Sequence, residues 1–475
     1  MFNFSGIEAY HQFLDSEPGG CTLTVEHYLS LISAKAHLNA FVEVYAEKAM
    51  STAKSLDKKR SNKEPIGALH GVVVAIKDVI CYKDHKISAS SGMLQNFTSL
   101  YNATVVEKLL AADAIIIGIC NCDEFAMGST SENSFYGNVL NALDETKVPG
   151  GSSGGSAVAV QAGLSMVSLG TDTGGSVRQP ADFCGIIGLK PTYGRISRYG
   201  IIAYASSFDQ VGIFGKYVDD VAKVLSVISG SDEFDSTVLD IETDFTLSRQ
   251  QERKYRIAYF SAALDHPALD PEISKGIKSL LNELSENGHV VSAVDFELIE
   301  YIVPTYYVLT TAEASSNLSR YDGVRFGHRT KVAETDLTNF YKQSRSEGFG
   351  LEVKRRIMLG NYVLSEGYYD AYFTKAQQVR RMLVDKVNHI FENFDAIILP
   401  TVPTTAVQLG KLKNNPVEMY LADIFTVLAN LAGIPAMSVP LAQHSNNMPF
   451  GVQIMTSKLD ELTLLHLGEM ITTRV

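Results

Sequence analysis

The strongest constraint in this chain is a series of short, β-branched apolar runs separated by helix-patterned segments. GVVVAIKD (Gly71–Asp78), AIIIGIC (Ala114–Cys120) and MVSLGTD (Met166–Asp172) each have the length and composition of a buried strand. Between the first two lies ATVVEKLLAADA, whose Val105, Val106, Leu109 and Leu110 fall on one helix face. Strand, helix and strand in this order predict parallel pairing through a right-handed crossover. Further runs, YRIAYF (Tyr255–Phe260), HVVSAVDF (His289–Phe296) and DAIILPT (Asp395–Thr401), alternate with the helical PEISKGIKSLLNELSENG and AYFTKAQQVRRMLVDKVNHIFENF. Residues 21–60 also read as helical. The expected fold class is α/β: a single large domain over residues 1–475, built on a twisted, mixed or mostly parallel β-sheet covered by helices. A helical elaboration falls at about 300–390. Division into two domains near residue 240, at the polar stretch Ile241–Lys254, is the alternative.

Glycine and serine concentrate inside this pattern rather than between its parts. Residues 150–200 hold 12 of the 36 glycines, half of them in GGSSGGSA (Gly150–Ala157) and TDTGGSVRQP (Thr171–Pro180). Core-like VAVQAGLSMVSLG and CGIIGLKP flank these runs, and flexible linkers do not alternate with buried strands. A set of tight turns is the plain reading of these runs, to be weighed against the chemistry they could hold. Neither matches the Walker A or GxGxxG phosphate loop. No histidine lies between His85 and His266, which weakens a Ser-His-Asp triad. A lysine can replace the histidine. Lys77 ends an apolar strand, where burial disfavours the ammonium and lowers its pKa, so that the neutral amine can take a proton from a serine. An ion pair between Lys77 and Asp78 fits the same spacing, and spacing alone does not choose between them.

Charge and cysteine content narrow the setting. A net charge of −12 repels phosphate backbones, so broad nucleic-acid binding by this chain alone is not expected. Five widely spaced cysteines fit free thiols in a reducing, cytoplasmic compartment. Cys120-Asn-Cys122 lacks a second ligand pair at metal spacing, so it reads as a strand end with small buried thiols and no metal site. The opening MFNFSGIEAYHQF has no basic or apolar signal-peptide region, and the apolar runs are too short to span a bilayer, so no membrane association is expected.

These motifs resemble, in order and spacing, those of the amidase signature family of serine hydrolases. VAIKD, GGSSGGSA, DTGGSVRQPA and GLKPTYGR place Lys77 and Ser152 75 residues apart, with Ser176 24 residues further on. The resemblance spans essentially the whole chain, with a signature core at about 65–220. It implies that Ser176 is the nucleophile, and that Ser152, at a cis peptide, bridges it to Lys77. It implies too that Thr173, Gly174, Gly175 and Ser176 aim backbone N–H groups at the oxyanion. Within the family, AEASSNLSRYDGVRFG (Ala312–Gly327), EVKRRIMLG (Glu352–Gly360) and YLADIFTVLANLAGIPA (Tyr420–Ala436) are similar to the branch of glutaminase subunits in tRNA-dependent amidotransferases. This implies glutamine as substrate, with Arg356 on its α-carboxylate, Asp423 on its ammonium and Tyr307 lining the pocket. It also implies partner subunits B and C in a heterotrimer, the first of which uses ATP and Mg2+ and binds the aminoacyl-tRNA. No cofactor is expected in this chain itself. From residue patterns alone, Arg355 and Arg356 fit a solvated helix face and Asp423 a helix N-cap. NALDETKVPGG (Asn141–Gly151) departs from many relatives in lacking Pro-Trp, and the chain has no Trp. A stand-alone amidase with another substrate is the alternative reading. A catalytically silent scaffold is a third, disfavoured by the intact Lys77, Ser152 and Ser176.

Overall fold

The computed structural model describes residues 4–241, 244–247, 253–332, 336–412 and 416–473. Half of the polar stretch 241–254, the expected linker, lies outside the described residues. Among the described residues eleven strands form one sheet: β1 (Phe41–Val44), β2 (Val73–Lys77), β3 (Ile115–Cys120), β4 (Val167–Asp172), β5 (Ile187–Lys190), β6 (Gln210–Gly215), β7 (Arg256–Phe260), β8 (Val290–Val294), β9 (Ala396–Pro400), β10 (Ala436–Gln443) and β11 (Pro449–Thr456). Their order across the sheet is β1-β3-β2-β4-β6-β5-β10-β11-β9-β7-β8. All residues of β2, β3, β4, β6 and β9 are buried, as strands covered on both faces must be.

The expected crossovers are present: β2 runs parallel to both β3 and β4, and β7 parallel to both β8 and β9. The sheet is mixed rather than mostly parallel, because β5, β6, β10 and β11 insert a central antiparallel block. Those strands are short or punctuated by Gly and Pro, so their sequences do not read as strands. Pro440 of β10 stands where the pairing with β11 shifts register, a place where its missing N–H costs no ladder bond. The helical stretch at 21–60 is likewise interrupted by β1, which pairs antiparallel with β3 between helices Gly20–Ala34 and Ala46–Ser61.

The register of β2 on β4 fixes the site. Ile76 lies opposite Leu169, so the C-terminal ends of the two strands carry Lys77 and Thr171 to the same edge. The buried crossover helix Gly154–Gln161 begins at that edge, bringing Ser152 and Ser153 with it. Helices Leu351–Val363 and Lys375–Phe391 both pack on helix Ile299–Asn317; Leu351–Val363 supplies Arg356 and Ile299–Asn317 supplies Tyr307. No helix among the described residues is long and apolar enough to cross a membrane. All five cysteines are buried and unpaired, with Cys120 closing β3.

Candidate active site

Lys77 is fully buried and has no carboxylate within ion-pair distance among the described residues. Its Nζ donates to Ser152 Oγ at 2.7 Å, Ser153 Oγ at 2.9 Å and Thr171 Oγ1 at 2.8 Å. Asp78, the other candidate partner, is occupied elsewhere: it accepts from the Ser88 and Ser90 N–H groups at 2.9 and 2.7 Å and from the Ser88 hydroxyl. The ion-pair reading of Lys77 therefore fails. Desolvation pushes the Lys77 pKa down, and the nearest carboxylates only partly oppose it. Ser153 donates its own proton to the Thr171 carbonyl at 3.1 Å, so it faces Lys77 as an acceptor. A neutral amine has one lone pair, and with Ser153 taking an N–H that lone pair is left for Ser152 or Thr171.

The Gly151–Ser152 peptide is cis. The Ser153 N–H donates to the Ser176 carbonyl at 3.2 Å, so the two glycine–serine loops touch. Ser176 is half-buried, and its hydroxyl has no hydrogen-bond partner among the described residues. The Lys77–Ser152 link is thus made, whereas the Ser152–Ser176 link is not.

The loop after β4 is held by an ion pair that sequence reasoning missed. Asp172 and Arg178 are completely buried and joined twice, Nη2 to Oδ1 at 2.9 Å and Nε to Oδ2 at 3.0 Å. Asp172 also accepts the N–H groups of Gly175 and Val177 and the Asn430 amide. Arg178 reaches across to Thr426 O, Asn430 and Gln453. Despite desolvation, this arrangement holds the Asp172 carboxyl well below the usual range. The signal was present, since Asp and Arg six residues apart are the only charges in an otherwise uncharged glycine loop. One expectation is corrected here. The Gly175 N–H is spent on Asp172 at 2.9 Å, whereas those of Thr173, Gly174 and Ser176 have no acceptor among the described residues. Both glycines are required by packing: a Cβ at 174 would strike the Tyr306 ring, and one at 175, where φ is +127°, the Thr426 side chain.

Arg356, Asp423 and Tyr307 are also buried together. The Tyr307 hydroxyl donates to Asp423 Oδ2 at 2.7 Å, and its ring centroid lies 5.4 Å from the Arg356 guanidinium. Ser129 donates to the same carboxylate at 3.3 Å. Burial raises the Asp423 carboxyl to about 6, against the Tyr307 and Ser129 hydrogen bonds and the Arg356 charge. Neither bland reading survives. Arg356 is 3% exposed and only Arg355 faces solvent, while Thr426, not Asp423, stands at the N-cap position of the helix Val427–Ala432.

A family model described as Amidase matches residues 24–465. The chain belongs to the amidase family. Among curated amidase relatives, the A subunit of glutamyl-tRNA(Gln) amidotransferase from Chlorobium phaeobacteroides is 45% identical over 475 residues, covering 99% of both chains. The protein of the same name from Fusobacterium nucleatum is 44% identical, covering 100% of this chain and 97% of that one. The crystal structure of the A subunit of glutamyl-tRNA(Gln) amidotransferase from Thermotoga maritima superposes with a TM-score of 0.78 at 37% identity, over 96% of this chain and 92% of that one. Peptide amidase from Stenotrophomonas maltophilia shares the fold at 28% identity and a TM-score of 0.79, over 96% of this chain and 93% of that one. This amidase thus gathers its conspicuous residues in two clusters, buried except for the half-buried Ser176. Lys77, Ser152, Ser176 and the 173–176 loop form one, and Arg356, Asp423 and Tyr307 the other. The Tyr306–Tyr307 pair connects them, Tyr306 against Gly174 and Tyr307 on Asp423.

Proposed function

We propose that this amidase is the glutaminase component of a tRNA-dependent amidotransferase, releasing ammonia from glutamine to amidate Glu-tRNA(Gln) or Asp-tRNA(Asn). The names of its relatives support the assignment. The observation that carries the substrate is a buried arginine and a buried carboxylate joined by one tyrosine, a lining suited to a zwitterion. Asp423 receives the α-ammonium and Arg356 the α-carboxylate, which leaves the side-chain amide to reach Ser176.

In the first step Ser176 Oγ adds to the amide carbon as its proton moves to Ser152 Oγ and the Ser152 proton to neutral Lys77 Nζ. The Ser152–Ser176 contact closes as substrate orders Ser176, as catalytic hydrogen bonds commonly tighten in the bound state. Thr173, Gly174 and Ser176 N–H groups receive the oxyanion, with Gly175 serving to fix the loop through Asp172. Collapse returns the proton from Lys77 through Ser152 to the departing nitrogen. Ammonia leaves and a γ-glutamyl ester remains on Ser176. Water then attacks the ester by the same relay, giving glutamate and free Ser176.

In this reading residues 1–475 are one catalytic domain in the cytoplasm, with the 299–391 helices walling the substrate pocket. One partner holds the aminoacyl-tRNA and uses ATP and Mg2+, and a second partner completes the heterotrimer. The test is ammonia release from glutamine by the chain alone and with both partners, ATP and glutamyl-tRNA. Weak activity alone and a marked rise with the partners is expected. Full activity indifferent to every partner would leave a free-standing amidase.

A further inference from the structure

Arg356 does not lie free in its pocket. Its Nε donates to Glu352 Oε1 at 2.9 Å and its Nη1 to the Tyr204 hydroxyl at 2.9 Å. The rings of Tyr204, Tyr307 and Tyr420 surround the guanidinium, with centroids 5.4–5.8 Å away. Glu352, 5% exposed, also accepts the Tyr420 hydroxyl at 3.3 Å on the same oxygen, while its other oxygen takes Arg355 Nη1. This grip uses Nε and one N–H of Nη1. The second Nη1 proton and both Nη2 protons have no acceptor among the described residues, and those two nitrogens form the end of the guanidinium that meets a carboxylate in a bidentate pair.

The charges balance in a particular way. Glu352 and Asp423 carry two negative charges, Arg355 and Arg356 two positive. Arg355, more than a third exposed, meets Glu352 from the solvent side. Glu352 thus holds Arg356 through Nε and fixes its direction, and the Nη2 end of the guanidinium is left for a ligand. A zwitterion enters without upsetting this neutrality, whereas a lone anion or cation leaves one charge over.

We propose that Glu352 is a positioning residue for glutamine recognition, holding Arg356 with its free edge toward the substrate α-carboxylate. The inference rests on the glutaminase reading above. The test is Glu352→Gln in the full chain with its partner subunits, assayed on glutamine and on 4-aminobutyramide, which lacks only the α-carboxylate. Losing a charged hydrogen bond to Arg356 raises KM for glutamine about 10- to 100-fold. The same change leaves kcat within about threefold, because the interaction is made equally in the ground and transition states. On 4-aminobutyramide kcat stays at the parent's level and KM changes far less than for glutamine, which a merely structural role for Glu352 would not allow. Parallel losses on both substrates, or an unchanged KM for glutamine, overturn the proposal. A parent enzyme that hydrolyses 4-aminobutyramide but not glutamine overturns the glutaminase reading and this inference together. If Glu352→Gln does not fold, Glu352→Asp, which keeps the charge but withdraws it from Arg356, must give the same glutamine-selective rise. Its absence overturns the proposal equally.

Discussion

Replacing Asp423 by asparagine keeps the side chain's shape and removes the charge assigned to the glutamine ammonium. Burial raises this carboxyl from 3.8 to about 6. At about 1.4 kcal/mol per pKa unit, ionising it in the fold costs about 3 kcal/mol more than ionising it in water. Because the folded pKa is the higher one, the fold favours the protonated form. That contribution is present in full below about pH 4 and is lost as pH rises through about 6. Asp423→Asn is therefore expected to be as stable as the parent at pH 7 or more stable, with any gain limited to about 3 kcal/mol. Glutamine binding moves the other way. Losing a desolvated charge partner costs about 2–5 kcal/mol, so KM for glutamine rises roughly 30-fold or more. In the parent, the ionised fraction of Asp423 falls from about one half at pH 6 to about one tenth at pH 5, so KM for glutamine rises about fivefold over that interval. The variant shows no such rise. Initial rates on glutamine and on neutral butyramide, with urea unfolding alongside, read all three effects, and butyramide cancels any titration of the Lys77 relay. Equal losses on both substrates, or a destabilised variant, would refute the reasoning and make Asp423 structural.

Ser176→Ala should abolish ammonia release without lowering Tm. Lys77→Ala and Ser152→Ala should each lower kcat by about three orders of magnitude or more, since a relay fails when any member is lost; near-normal kcat for Lys77→Ala at neutral pH would refute the lysine base. Asp172→Asn leaves Arg178 buried without its counter-ion and should destabilise the fold by about 3–5 kcal/mol in urea unfolding. Because the Asp172 pKa is held below its ordinary value, its stabilisation is present above the usual carboxylate range and lost only in strong acid. A loss under about 1 kcal/mol would show that the ion pair does not hold the loop.

Much of this architecture is legible because β2, β3 and β4 are buried on both faces and so read as continuous apolar runs. The central antiparallel block is not. β6 (QVGIFG) has glycines where a strand pattern needs side chains, and β10 carries Pro440. The catalytic loops are conspicuous through composition, but their roles come from likeness to the family, since a buried lysine beside Asp78 fits an ion pair equally well. Only the structure separates those readings, by giving Asp78 to Ser88 and Ser90 and Lys77 to three hydroxyls. Glu352 is invisible for a different reason. In EVKRRIM it reads as one more charge on a polar helix, and only packing shows Arg356 turned inward and Arg355 outward.

The central claim is that Ser176 forms a γ-glutamyl ester through a relay ending on neutral Lys77. Acid quenching during turnover of glutamine, followed by mass spectrometry of the peptide containing Ser176, tests it directly. A γ-glutamyl group on Ser176, absent in Ser176→Ala and in Lys77→Ala, is the predicted result. Sustained ammonia release with no adduct on Ser176, or with the adduct on another residue, would contradict it.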